Sequence, residues 1–342
     1  LTLGLDYATQ ELAERLLEGK YGAIVAIEPA TGEIIAMASA PTYDPRSMVG
    51  RDRGKAMTAM MRAERRPLLN RAISGTYPPG STFKISQALL GLQEGSITPS
   101  VAFPCARGFN YKGLHVGCHG HAAPINLVPA IGTSCNSYFC WNLLRMLSNR
   151  GKYGSVQNAM TRWKDHVVSM GFGYKLGVDL PGERRGMIPN AAYYDKAYKR
   201  SWNGLTVISI GIGQGEVTST PLQIANLAAT VANRGHYFVP HVARRVQGER
   251  LDTTYTRPRR TMVARRWYDY AVAGMRRSVL AGPCRGADFP GGEVCGKTGT
   301  AQNRGHDHSA FMRFAPMNRP KIAVCGYVEN GGFGADFAMP IG

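Results

Sequence analysis

Four strand-like segments, two near each end of the chain, bracket a helical middle, and this placement constrains the fold more than any other feature. YGAIVAIEP (21–29) and EIIAMASAP (33–41) are apolar and flank Ala30-Thr31-Gly32, a tight-turn sequence. HSAFMRFAP (308–316) and KIAVCGYVE (321–329) repeat the pattern around Met317-Asn318-Arg319-Pro320. The simplest packing is one antiparallel sheet built from both chain ends, with the intervening helices against it. The expected class is therefore α+β.

Between these ends the periodicity is mostly helical. Residues 7–18 place Leu12, Leu16 and Leu17 on one expected helical face. Residues 41–70 read as polar and irregular. A helix is expected over 81–95, entered through Pro78-Pro79-Gly80 and stopped by Gly95. Residues 96–125 read as loop and hold much of the Cys and His. A second helical stretch, 127–147, is interrupted by the polar Thr133-Ser134-Cys135-Asn136, and 221–233 reads as an apolar helix. Residues 148–220 are mixed and Gly-rich. The 342 residues are 44% hydrophobic, enough for one large domain or two.

GGEVCGKTGT (291–300) has two incompatible readings. Gly291 to Thr298 fits the phosphate-cradling pattern G-x-x-x-x-G-K-[ST], whereas Lys297-Thr298-Gly299 fits the K-T-G of serine acyl-transfer enzymes. The phosphate loop requires a strand before its first Gly and a helix after the Thr. CRGADFP is a poor strand, and GTAQNRGHDHS is a poor helix start. EVCGKTGTA instead suits a strand that runs into a loop. The K-T-G reading demands two more motifs upstream, and both are present. Ser81-Thr82-Phe83-Lys84 opens the helix after YPPG, and Ser134-Cys135-Asn136 breaks the next helical stretch 53 residues later. Each motif alone is weak. Three in this order and local context are specific.

The residue types suit acyl transfer. A serine hydroxyl needs a base, and Ser81 and Lys84, at i and i+3, share one helical face. Lys84 can act as base once burial or a neighbouring cation, for which Lys297 is the candidate, lowers its pKa. Ser134 can pass a proton to a leaving amine, and Asn136 offers a donor and an acceptor to a peptide-like amide. Lys297, Thr298 and Thr300, around Gly299, supply a cation and two hydroxyls for a carboxylate. The backbone N–H groups of Ser81 and Thr300 are the candidate oxyanion donors.

Lys+Arg exceed Asp+Glu by 41 − 23 = 18. No finger, homeodomain or RNA-motif signature accompanies this charge, so nucleic acid is not the expected partner. An anionic membrane surface or cell-envelope polymer suits it. No run approaches 18 apolar residues, and the chain opens on Leu1-Thr2, which reads as an excised portion of a longer protein.

At these motifs the sequence resembles the transpeptidase domain of class B penicillin-binding proteins, with its nearest look to the elongation type. YDP (43–45), LGVDLPGE (176–183), GIGQGE (211–216), TPLQIAN (220–226) and GKTGTAQ (296–302) extend the resemblance over essentially the whole chain. It implies a penicillin-binding transpeptidase fold over 1–342, with a mostly helical subdomain. It also implies a D,D-transpeptidase that cross-links peptidoglycan stem peptides through a serine acyl-enzyme and is acylated by β-lactam antibiotics. Carried over by position, Ser81 is the nucleophile, Lys84 the base, Ser134 and Asn136 the second motif, and Lys297 to Thr300 the carboxylate and oxyanion edge. The resemblance further implies an N-terminal membrane anchor and pedestal and a C-terminal closing helix outside these residues. The catalytic domain is expected on the periplasmic side of the bacterial inner membrane, with a membrane glycan polymerase and elongation scaffold proteins as partners. A serine β-lactamase and a non-enzymatic β-lactam sensor carry the same trio and remain alternatives.

Seven cysteines stand at 105, 118, 135, 140, 284, 295 and 325. Cys105, Cys118, His121 and Cys135 can supply the four N/S ligands of a tetrahedral zinc, with His119 a weaker substitute. Such a site resembles one in some elongation-type relatives and would pin 105–121 to the break carrying Ser134 and Asn136. Its role is structural, and the chemistry itself requires no cofactor. Disulfides, including Cys284 with Cys295, and free thiols are the other readings.

Overall fold

The computed structural model describes residues 1–303 and 305–342. Helix α1 (Tyr7–Leu16) is capped by Asp6, whose carboxylate accepts from Thr9 N at 2.8 Å. It packs on the strand pair β1 (Gly22–Ile27) and β2 (Ile34–Ala40) through Ala13 and Leu17. Leu12, expected on the buried face, is 43% exposed. One residue turns a helix by about 100°, and the inward stripe runs through Ala13 and Leu17 instead. Gln10 covers the outer edge of β2: its Nε2 donates to Met37 O at 3.0 Å and its Oε1 accepts from Met37 N at 2.8 Å.

The segment 41–70 is not wholly irregular. It contains helix α2 (Arg53–Arg62), which buries no residue and so has no apolar stripe to betray it. A 3-10 turn, Gly80–Phe83, leads into α3 (Lys84–Glu94), ended by left-handed Gly95. Ten of its eleven residues are buried. The stretch read as loop holds a hairpin, β3 (Gly108–Tyr111) and β4 (Leu114–Gly117). Helices α4 (Leu127–Gly132) and α5 (Asn136–Leu147) flank the expected polar break. Helix α6 (Val156–Ser169) lies within the stretch read as mixed. It braces α3 through Trp163, whose Nε1 donates to Gln87 Oε1 at 2.9 Å. Helix α7 (Pro221–Ala232) is buried along its whole length, with a Thr220–Gln223 capping box. Helix α8 (Tyr268–Ala281) packs on α4 and on the last sheet edge.

The C-terminal strands are β5 (Cys295–Ala301), β6 (His308–Ala315) and β7 (Ile322–Val328), followed by a single helical turn, α9 (Ala338–Ile341). The sheet order is β2-β1-β7-β6-β5, and every pairing is antiparallel. The chain ends meet at the β1–β7 pair, so one sheet is built from both, as the α+β reading requires. Helix α7 crosses the inner face of this sheet, and α1 covers the outer face. Strand β5 is left as an edge facing the helical part of the molecule. No helix of the described residues is long and apolar enough to cross a membrane.

Candidate active site

Glycines let the α3 turn touch β5. Gly80 has φ +56°, and a Cβ there would lie 2.7 Å from Thr300 O. Gly299 faces the same turn, with space for a Cβ only 3.0 Å from Pro79 O. Gly80 N donates to Gly213 O at 3.0 Å and Thr82 Oγ1 to Pro79 O at 2.6 Å, so the turn is held from both sides. Ser81 therefore sits half-exposed beside Thr300, at the start of a buried helix.

Lys84 points inward and is fully buried. Its Nζ donates to Ser134 O at 2.7 Å and to Asn136 Oδ1, and lies 3.3 Å from Ser134 Oγ. It makes no hydrogen bond with Ser81 among the described residues, although sequence spacing put the two side chains within reach. Ser134 holds φ +59°, a left-handed conformation costing a non-glycine residue about 1–2 kcal/mol. That conformation lets α4 end and α5 begin within four residues, with Ser134 N donating to Ile131 O and Cys135 N to Ala130 O. Asn136, the first residue of α5, donates through Nδ2 to Gly117 O at 2.7 Å.

Lys297 enters from β5, also fully buried, and its Nζ lies 2.8 Å from both Ser134 Oγ and Thr298 O. The Ser134 hydroxyl thus stands between the two lysines. Burial pushes Lys84 down to about 8, with nearby thiols opposing it, and burial together with the Lys84 charge pushes Lys297 down to about 7. Burial, one of the two causes expected to depress Lys84, is the first cause at both lysines.

The two lysines lie buried behind the lining of a cleft of about 860 Å³. Ser81, Ser134, Asn136, Thr298 and Thr300 line it. One wall is the hairpin end His115 to His119, and the other is the segment 333–336 beyond β7. Sequence reasoning gave no role to two residues that shape the β5 edge. Gln214 Nε2 donates to Thr300 O at 3.2 Å, and Gly334 N donates to Thr300 Oγ1 at 3.3 Å. GIGQGE was the only signal for Gln214, and it carried no geometry. The Thr300 N–H lies on the Gly80 side, since a Gly80 Cβ would approach Thr300 N to 3.3 Å. Ser81 N and Thr300 N thus sit on facing segments.

The ligand atoms of Cys105, Cys118, His121 and Cys135 lie within 4.8 Å of one another. Tetrahedral zinc–sulfur bonds of about 2.3 Å place thiolates about 3.8 Å apart, so a small contraction would close the set. His121 Nδ1 is 2.9 Å from Ala122 O, which leaves Nε2 facing Cys118 Sγ at 3.6 Å. Hydrogen bonding from Cys135, aided by Asn136 N–H and His121, overcomes burial and lowers the Cys118 thiol to about 4. His119 does not join; its Nε2 meets Thr133 O at 2.9 Å. All seven cysteines are unpaired, which corrects the disulfide readings. Cys284 Sγ accepts from Ser278 Oγ at 3.1 Å rather than meeting Cys295.

Lys297 and Thr298 lie in mid-strand with no helix after them, which removes the phosphate-loop reading. Residues 22–341 match the penicillin binding protein transpeptidase domain. The chain belongs to the penicillin-binding protein transpeptidase family. It is 36% identical over 369 residues to the peptidoglycan D,D-transpeptidase MrdA of Acinetobacter baumannii, covering 100% of this chain and 53% of that protein. The crystal structure of Pseudomonas aeruginosa PBP2 in complex with WCK 5153 superposes with a TM-score of 0.86 at 33% identity, covering 99% of this chain and 73% of that one. PBP2 of Helicobacter pylori, in its complex with MreC, gives a TM-score of 0.83 at 26% identity, covering 100% of this chain and 62% of that one. This transpeptidase domain is thus of the PBP2 kind, and it spans about half the length of the curated relatives it matches.

Proposed function

We propose that the chain is the acyl-transfer domain of a peptidoglycan D,D-transpeptidase of cell-wall elongation, acting on stem peptides and acylated by β-lactams at Ser81. The observation that carries this is the Ser134 hydroxyl held between two buried lysines, beside a serine at a helix start.

A neutral Lys84 amine has two N–H bonds, which Ser134 O and Asn136 Oδ1 accept, leaving its lone pair for a hydroxyl proton. A substrate carboxylate at Lys297, Thr298 and Thr300 stabilises the Lys297 ammonium and leaves Lys84 the deprotonated partner. Ser81 Oγ then bonds to the scissile carbonyl carbon while its proton passes to Lys84. The carbonyl π pair moves onto oxygen, facing the N–H groups of Ser81 and Thr300. Collapse breaks the C–N bond, and the departing amine takes a proton relayed from Lys84 through Ser134 Oγ. The amine of a second stem attacks the ester by the reverse sequence, its proton returns to Ser81, and the new peptide bond is the cross-link.

Cys105, Cys118, His121 and Cys135 would hold one structural zinc, whose contribution is to fix the hairpin wall against Asn136. In the same reading the domain works outside the cytoplasmic membrane as part of a longer anchored protein, beside a glycan polymerase and scaffold proteins. The likeness to a relative bound to MreC supports a scaffold partner.

Labelling with a fluorescent penicillin tests the reading. A stable adduct is expected on the wild-type chain, none on Ser81→Ala, and little on Lys84→Ala. Rapid release of label would indicate a lactamase, and label on Ser81→Ala would refute the assignment. A donor-peptide turnover assay separates an enzyme from a sensor.

A further inference from the structure

We infer that Cys118 is an oxidation site for hydroperoxides on the wall of the cleft, and that its disulfide with Cys135 reversibly switches off acylation at Ser81. This rests on the acyl-transfer reading and adds a regulation to that site.

Five of the seven cysteines are buried, and only Cys105 and Cys118 are reached by solvent. Of the seven, Cys118 alone lines the cleft that Ser81 lines. A small oxidant that enters where the substrate enters therefore meets this sulfur. His121 Nε2, with Nδ1 turned to Ala122 O, presents a lone pair 3.6 Å from it and can take the thiol proton. A second thiol stands ready, since the sulfurs of Cys105 and Cys135 lie within 4.8 Å of that of Cys118.

The chemistry closes with a hydroperoxide as oxidant. Cys118 sulfur attacks one peroxide oxygen, the S–O bond forms, the O–O bond breaks, and the departing oxygen takes the thiol proton. Cys135 sulfur then attacks the sulfenic sulfur. The S–S bond forms, the S–O bond breaks, and hydroxide leaves as water with the Cys135 proton. Two thiols lose two electrons, and hydrogen peroxide becomes two waters. A disulfide sulfur no longer ligates as a thiolate, so a metal held by the set would be given up as the bond forms.

Both sulfurs hold the second motif in place. Asn136 N donates to Cys118 Sγ at 3.3 Å, and Tyr138 N donates to Cys135 Sγ, the N-cap of α5, at 3.3 Å. Gly117 O, one residue before Cys118, accepts from Asn136 Nδ2 at 2.7 Å, while Asn136 Oδ1 accepts from Lys84. A bonded pair of sulfurs stands about 2.0 Å apart. To reach that separation both must turn off the two N–H groups, and Gly117 and Ser134 are carried with their chain neighbours. Asn136 and the Ser134 hydroxyl then leave the positions that serve Lys84.

Peptide mapping and penicillin labelling of the chain treated with hydrogen peroxide test this. Trypsin leaves Cys118, Cys135 and Cys140 in one peptide, 113–145, and Cys105 in another, 85–107. Peptide 113–145 should lose two hydrogens, fragmentation should place the bond between 118 and 135, and acylation should slow at least ~10-fold, as for misplaced site groups. Dithiothreitol should reverse both changes. In Cys118→Ser, whatever its starting rate, peroxide should no longer change acylation. Thiols that stay free, a bond between peptides 85–107 and 113–145 instead, or a Cys118–Cys135 bond that leaves acylation unchanged would each overturn the proposal. The mapping on the wild-type chain decides even where the variant unfolds. Failure of the reduced wild-type chain to bind fluorescent penicillin would instead overturn the acyl-transfer reading, whereas the mapping would still report the bond.

Discussion

Lys297 places its ammonium 2.8 Å from the Ser134 hydroxyl although 163 residues of chain separate them. Lys84 approaches the same oxygen from the opposite segment, at 3.3 Å. One small hydroxyl therefore links the buried amine of the helical side, the proposed base, to the buried amine of the sheet side. Both lysines are buried and both are depressed, so the pair sheds one proton near neutrality and keeps the other for a carboxylate.

Acylation should follow that proton. The competent base is the neutral amine, whose fraction rises with pH. Lys84 and Lys297 sit at about 8 and about 7. The second-order rate of penicillin acylation should fall by about tenfold per pH unit below pH 7 and level off above pH 8. Stopped-flow measurement from pH 5.5 to 9 checks this. A flat profile would remove Lys84 as base.

Gly80→Ala should damage the site and the fold together. Its Cβ would stand 2.7 Å from Thr300 O in a left-handed backbone, at a cost of about 1–3 kcal/mol. Penicillin acylation should drop at least ~100-fold, as for a displaced nucleophile. Gly95 is also left-handed, at φ +72°, but a Cβ there meets nothing within 4 Å. Gly95→Ala should cost only about 1 kcal/mol and spare acylation. Equal effects on acylation would mean that crowding at Thr300 is not the cause.

Glu94, at the far end of α3, gathers Lys152 at 2.7 Å, Arg162 at 2.7 Å, Tyr153 at 2.8 Å and His166 at 2.6 Å. Burial raises its pKa, but these four partners outweigh it and leave the carboxyl well below the usual range. Its folded pKa lies below the unfolded value of about 4.3. The stability it contributes is therefore full above that value and wanes as pH falls below it. Glu94→Gln should lower stability at pH 7 by about 2–3 kcal/mol. The gap to wild type should narrow at pH 3. Urea titrations at both pH values decide it; a gap that is constant with pH would exclude the charge as the cause.

The thiol cluster should hold metal. Purified with zinc present, the chain should carry about one ion, and Cys118→Ser or Cys135→Ser should reduce that. His119→Ala should not, because its ring is turned to Thr133 O. Chelation should lower the melting temperature. A chain that stays metal-free and melts the same with and without chelator would sink the site.

Much of this molecule was legible in residue order, for physical reasons that differ by element. The strands at both ends were visible because buried strands are apolar runs between turn residues, as in GAIVAI and IAVCGYV. Leu12 misled because a helix with few large apolar residues can turn by one position at little cost. Helix α2 escaped because it buries nothing, and the β3–β4 hairpin because four-residue strands carry too short a pattern. The break at Ser134 was visible as polarity, but its left-handed backbone was not. The partners of Lys84 were misjudged for a related reason. Spacing along a helix says which face a side chain shares, not whether a carbonyl from another segment draws it away.

The order of chemical groups along the chain determined the sheet built from both ends, the three motifs and the set of four metal-type ligands, because each depends on local pattern and residue type. Only tertiary structure decided that Ser134 stands between two buried lysines, that Gln214 and Gly334 brace Thr300, and that Cys118 faces the cleft. Those relationships depend on where separate segments pack and on which charges lose water there. Burial of that kind belongs to the folded surface as a whole and is written in no single stretch of sequence.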